Sequence, residues 1–137
     1  MVARADRNVR IDLGYHGRWF HGSQRQPGVR TVQGELEGAL EQVTRQECRL
    51  VFAGRTDQGV HAVGQTASGR VRWFKDLERL RFGLDALTGD DLRIYRVSAV
   101  SDAFHARYGA RRREYRYRIR WGCILKLIPP PRATIAS

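Results

Sequence analysis

The 137-residue sequence is short of cysteine, lysine and long apolar runs, and each shortage excludes something. Its two cysteines, Cys48 and Cys123, stand far apart and form no CxxC unit, which argues against a disulfide framework and against a cysteine-based zinc site. Cys48 opens an apolar run and is expected to be a small core residue. No stretch approaches the roughly 18 consecutive apolar residues of a membrane helix, and MVARADRNVR at the N-terminus lacks the apolar core of a signal peptide. A cytoplasmic location with no membrane partner is the expectation. His16, His21, His61 and His105 form no paired ligand motif such as HExxH, so no metal site is expected.

Lysine is nearly absent, with only Lys75 and Lys126, yet Lys and Arg together number 25 against 14 Asp and Glu, a net charge of +11. The basic charge is therefore almost all arginine, a residue that forks phosphate and stacks on bases. Such an excess favours a polyanionic partner through phosphate neutralisation and counterion release. Charge alone does not separate an enzyme from a binding module.

Hydrophobic periodicity supplies the fold class. Asn8 to Tyr15 alternates Val9, Ile11 and Leu13 with polar residues, the pattern of a half-buried strand. His16 to Arg30 reads as a long loop, of a length often functional in a compact domain. Thr31 can cap a helix running to about Gln46, with Val32, Leu36, Ala39, Leu40 and Val43 on one face. CRLVFAG (Cys48 to Gly54) fits a central strand, and Gln65 to Arg72 another. A helix from Phe74 to Leu87 carries a leucine stripe; Leu92 to Val100 is a strand with a small irregularity; Arg107 to Arg120 is a last, basic strand. The order predicts an α+β, ferredoxin-like or RRM-like β-α-β-β-α-β antiparallel sheet with two helices on one face, leaving the other face for RNA.

Two stretches carry candidate chemistry. GRTDQGVHAVGQ (Gly54 to Gln65) follows an apolar run, and its glycines allow tight turns that could hold Arg55 and Asp57 in one arrangement. A carboxylate beside an arginine stays ionised and can serve as nucleophile, base or anion-stabilising group. A plain turn with a surface ion pair uses the same residues. His61 invites an acid/base pairing with Asp57, but a hydrogen-bonding scaffold role fits it better, since no serine or second carboxylate completes a triad. In RRREYRYRIR (Arg111 to Arg120), strand alternation sets Tyr115, Tyr117 and Ile119 on one face and Arg116, Arg118 and Arg120 on the other. Such tyrosines could stack on bases or face the core, with the arginines along a phosphate backbone or simply in solvent.

Taken together, YHGRWFHGSQRQP, TVQGELEGAL, AGRTDQGVHAVGQ, FHARYGA and REYRYRI resemble the tRNA pseudouridine synthase A (TruA) family over about residues 8 to 120. The resemblance implies an isomerase that converts uridine to pseudouridine at positions 38 to 40 of the tRNA anticodon stem-loop, without metal or organic cofactor. It implies that Asp57 is the nucleophile, that Arg55 pairs with it and helps hold the flipped nucleotide, and that Tyr115 packs on the target base. Arg116 and Arg118 would contribute to gripping the substrate. Gln58 stands where alanine is common in the motif and Ser23 where tryptophan is common; neither removes a group the chemistry needs. Family members are homodimers and carry a second, similar α/β half after the YRYRI strand, with the cleft between the halves. Trp121 to Ser137 does not look like the start of that half, so the expectation is a catalytic N-terminal half, 8–120, with a divergent tail, 121–137. An RNA-binding module left without catalysis is the alternative, and a metal-dependent nuclease a remote third.

Overall fold

The computed structural model describes residues 6–118 and 132–136. The chain order is β1 (Arg7–Tyr15), α1 (Val32–Thr44), β2 (Val51–Phe52), β3 (His61–Val71), α2 (Leu77–Leu87), β4 (Leu92–Ala99), β5 (Glu114–Arg118) and β6 (Arg132–Ala136), with a short 3-10 turn at Gly17–Trp19. β1 lies between β3 and β4, antiparallel to both, and β2 pairs antiparallel with β3. This is the expected ferredoxin-like antiparallel core.

Alternation builds it. Val9, Ile11 and Leu13 are fully buried on one face of β1, where they meet Leu36 and Leu40 of α1 and Leu80 and Leu84 of α2 in a single core. Both helices therefore cover the same sheet face. The irregularity expected in β4 is real: Asp12 pairs with Arg96 but Leu13 with Ile94, so Tyr95 is an extra residue that keeps both Ile94 and Val97 turned inward. Thr31 caps α1 by accepting the Gly34 N–H at 3.1 Å, and Arg45 in a left-handed conformation (φ 60°) ends the helix. Cys48 is buried as expected, its Sγ donating to Arg70 O, and burial pushes its thiol up to about 11.

Four boundaries differ from the sequence reading. The run Cys48 to Gly54 is not a central strand: only Val51–Phe52 pair, and with β3 alone. Side chains take the backbone bonds that a longer ladder would have used. The Glu37 carboxylate accepts the Leu50 N–H at 2.9 Å, and the Gln33 amide donates to Leu50 O at 3.1 Å. β3 starts at His61 instead of Gln65. α2 starts at Leu77 instead of Phe74, because the Asp76 carboxylate accepts the Glu78 N–H and fixes the first turn there. The last basic strand begins only at Glu114, since residues 102–109 turn on local bonds such as Gly109 N–H to His105 O at 2.7 Å. Its expected continuation through Ile119 and Arg120, and most of the tail, lie outside the described residues. β6 was not anticipated; it runs parallel to β3 along His61–Gly64 and carries β5 on its far side.

The loop before α1 is held by Arg30. Its guanidinium donates to Asp91 at 2.7 Å and to Glu35 at 2.7 Å, and lies 4.0 Å over the Phe20 ring. Hydrogen bonding to Arg30 lowers the Asp91 pKa despite partial burial. A lowered folded-state value means stability that is present above the unfolded value of about 3.9 and lost as pH falls through the folded one. Asp91→Asn should therefore be less stable than the parent at neutral pH and lose less on acidification. Urea melts at a series of acidic pH values check this; equal acid-side losses in the two proteins would contradict it.

Candidate active site

Three buried polar side chains fix the loop after β2. Gln65, pointing inward from β3, donates to Gly54 O at 2.8 Å and accepts the Gly54 N–H at 3.3 Å. The Tyr15 hydroxyl, at the end of β1, shares a 2.7 Å hydrogen bond with the Thr56 hydroxyl and accepts a longer one, 3.4 Å, from Gln65. Burial raises the Tyr15 pKa, against the lowering effect of its bonds to Thr56 and Gln65, so it is a neutral phenol at ordinary pH. Ser23 closes the third side: its Oγ accepts the Thr56 N–H at 2.9 Å, while its own N–H donates to Thr56 O at 3.0 Å. Next to it, Gly22 has φ 81°, and a Cβ there would stand 2.8 Å from Thr56 O. Only glycine allows the two loops to meet so closely.

With Thr56 pinned inward, Arg55 and Asp57 on either side are exposed. Both line a cavity of about 130 Å³ together with His21, Gln24 and Gln58. They do not form the ion pair expected from sequence: among the described residues the Asp57 carboxylate engages no cation. Thr56 takes the interior position, leaving both charges in solvent at the cavity mouth, where water competes with their attraction. Asp57 is held from its backbone side by Val60 N–H to Asp57 O at 3.2 Å, and Gly59 at φ 82° completes that turn.

A larger cavity of about 600 Å³ opens beside the first and shares Gln24 and Arg55 with it. Tyr115 lines it, half exposed, with Phe52, Arg107 and Arg113. Arg113 brings β5 to this place by donating to Ala53 O at 2.6 Å and to Arg107 O at 3.0 Å. Arg55 thus joins Asp57 on one side to Tyr115 on the other. Tyr117 is exposed too, so the two tyrosines are not a core pair. Arg116 reaches Glu114 at 3.9 Å and lines neither cavity, and the Arg118 side chain lies outside the described residues.

His61 has the scaffold role: its Nδ1 accepts the Gly17 N–H at 2.8 Å, and its ring centroid lies 4.0 Å from that of His16. Sequence reasoning did not single out Tyr15, Gln65, Ser23 or Arg113 as loop-holding groups. A signal existed for Tyr15, the last inward position of a strand, because a buried phenol needs a partner. Ser23, noted as a departure from the family's usual residue, turns out to bond the loop directly.

Comparison with known proteins decides the family. The family model for tRNA pseudouridine synthase matches residues 14–109, which include the pinned loop and the three side chains that hold it, Tyr15, Ser23 and Gln65. The chain belongs to this family. A tRNA pseudouridine synthase A of Dictyoglomus turgidum is 45% identical over 112 residues, covering 80% of this chain and 46% of the relative. Those of Streptococcus mutans and Chloroflexus aurantiacus are each 46% identical, covering 80% and 82% of this chain and 45% and 41% of their own. The chain spans about half the length of the curated relatives it matches. No helix among the described residues is long and apolar enough to cross a membrane.

Proposed function

We propose that the protein isomerises uridine to pseudouridine in tRNA, in the anticodon stem-loop, with Asp57 as the nucleophile. One observation carries this reading: an exposed carboxylate stands on a loop whose backbone is clamped by Gln65, Tyr15 and Ser23, next to Arg55, which lines both its cavity and the adjoining cavity of Tyr115. Rigid mounting of a solvent-facing acid suits a group that must meet a substrate atom in a fixed direction.

The reaction breaks the N1–C1′ bond of uridine and forms C5–C1′, with a proton lost from C5 and one gained at N1. Substrate and product have the same composition, so no oxidant or group donor is consumed. The base must leave the stack, turn and be recaptured. Asp57 would attack either C6 of the base or C1′ of the ribose, keeping the detached parts joined to the protein. Tyr115 would cover the flipped base and Arg55 its phosphate or carbonyl groups, while Arg116 and Arg118 would neutralise the backbone alongside. The anticodon target, a homodimeric full-length enzyme and a cytoplasmic location rest on the family resemblance.

Because C5 loses its hydrogen, tRNA tritiated at uracil C5 should release tritium to water when incubated with the protein. Binding of tRNA without release would favour the second reading, an RNA-binding module without catalysis. Release unaffected by loss of the Asp57 carboxylate would remove Asp57 from its role.

A further inference from the structure

Residues 101–113 cross the sheet face opposite the helices and are tied to it before any ligand arrives. The Asn8 amide donates to Ser101 O at 2.9 Å and Phe104 O at 3.0 Å, the Ala106 N–H donates to Ser68 Oγ at 2.9 Å, and Arg113 bonds Ala53 O. Between this segment and the sheet lies a cavity of about 820 Å³. Its lining includes Arg10 and Thr66 from the sheet and Phe104, Tyr108, Arg111 and Arg112 from the segment. It meets the Arg55–Tyr115 cavity at Ala53.

Tyr108 is its most unusual feature. The residue is 83% exposed, yet its ring stacks on His105, with centroids 4.2 Å apart and planes 21° from parallel, and the Tyr108 backbone N–H donates to His105 Nδ1 at 3.1 Å. One ring face is covered by the imidazole and the other is open to solvent. Arg10, Arg111 and Arg112 line the cavity beside it, and among the described residues no carboxylate does. Arg111 has no carboxylate partner among the described residues, Arg10 is held by Asp12 at 2.9 Å, and Arg112 is paired with Glu114 at 2.8 Å. An apolar protein surface would meet this basic rim at a desolvation cost, whereas a nucleotide brings an aromatic face for Tyr108 and a phosphate for Arg111.

The geometry points to a second nucleotide position on the sheet: Tyr108 is a stacking platform for an unpaired base of the RNA whose target uridine enters at Asp57, and Arg111 holds an adjacent phosphate. The inference rests on the RNA substrate proposed above and is independent of the chemistry assigned to Asp57. The ordered His105–Tyr108 pair means that little side-chain freedom is lost when a base stacks on it.

Fluorescence anisotropy with an unmodified tRNA transcript tests the platform, using the whole chain. Tyr108→Ala should weaken binding about tenfold, as loss of one stacked base does, and Tyr108→Phe should bind as the parent does. Because Tyr108 carries no charge, Tyr108→Ala should leave the salt dependence unchanged, whereas Arg111→Ala should make the slope of log K against log salt shallower by about 0.7–0.9. Tyr108 buries almost nothing, so circular dichroism of the alanine variant should match the parent. Parent-like affinity of Tyr108→Ala, no tRNA binding by the parent, or displacement of tRNA by polyglutamate as readily as by oligouridylate would each overturn the platform. Isomerisation by Asp57→Asn at the parent rate would sink the proposed reaction and leave the stacking result standing.

Discussion

Asp57→Asn should lower tritium release from C5-labelled tRNA by roughly 10³-fold or more, the scale on which loss of a covalent nucleophile acts, while the affinity for tRNA stays about the same. The substitution is nearly isosteric at an exposed side chain that makes no hydrogen bond or ion pair among the described residues. Folding should therefore be untouched, and the change isolates the chemistry. An amide cannot form the adduct that keeps base and sugar together, so the loss should lie in turnover and not in binding. Asp57→Glu is the useful companion: the carboxylate is kept but displaced by one methylene, and a misplacement of about 1 Å can cost about a hundredfold. Both variants at the parent rate would mean that the carboxylate is an ordinary turn residue.

Much of the fold was legible because it rests on strong local patterns. Val9, Ile11 and Leu13 announced β1, the Thr31 cap announced α1, and the odd spacing of Ile94 and Val97 announced an irregularity in β4, which the structure places at Tyr95. What failed was wherever side chains replaced backbone pairing. Glu37 and Gln33 take the Leu50 backbone groups and shorten β2, a long-range substitution that no window of sequence around Cys48 to Gly54 could reveal. β6 failed for a different reason: its pairing with β3 joins segments distant in the chain, and RATIA, five residues with one large apolar side chain, is too short a pattern to announce a strand.

The site shows the same division. Arg55, Asp57 and Tyr115 were readable as residue types in a motif, and they are brought around two adjoining cavities. Their relation was not readable: the ion pair expected from adjacency is missing, and the loop is ordered by Tyr15, Gln65 and Ser23 instead. Ser23 and Gln65 are distant in sequence from each other and ordinary in composition. Only the sheet, by placing Tyr15 and Gln65 on adjacent strands with their side chains inward, gives them a shared target.

Gln65→Leu should therefore have the second large effect, on stability and turnover together. Leucine fills a similar volume, so the core around position 65 keeps its packing. The buried Gly54 N–H and C=O lose both partners in that side chain, and each orphaned buried group costs about 1–3 kcal/mol. A net loss of roughly 2–4 kcal/mol follows, to be read from urea melts at constant m. Any relaxation of Gly54 to find water moves Arg55 and Asp57 with it, so tritium release should fall while tRNA binding, which rests on many arginines, changes little. Ser23→Ala and Tyr15→Phe each remove hydrogen bonds at Thr56 and should cost about 1 kcal/mol apiece. Because the three side chains hold one loop, the Gln65→Leu/Ser23→Ala pair should be non-additive. If Gln65→Leu melts at the parent urea concentration and turns over at the parent rate, the clamp does not set the position of Asp57, and the order of the loop must come from its glycine turn alone.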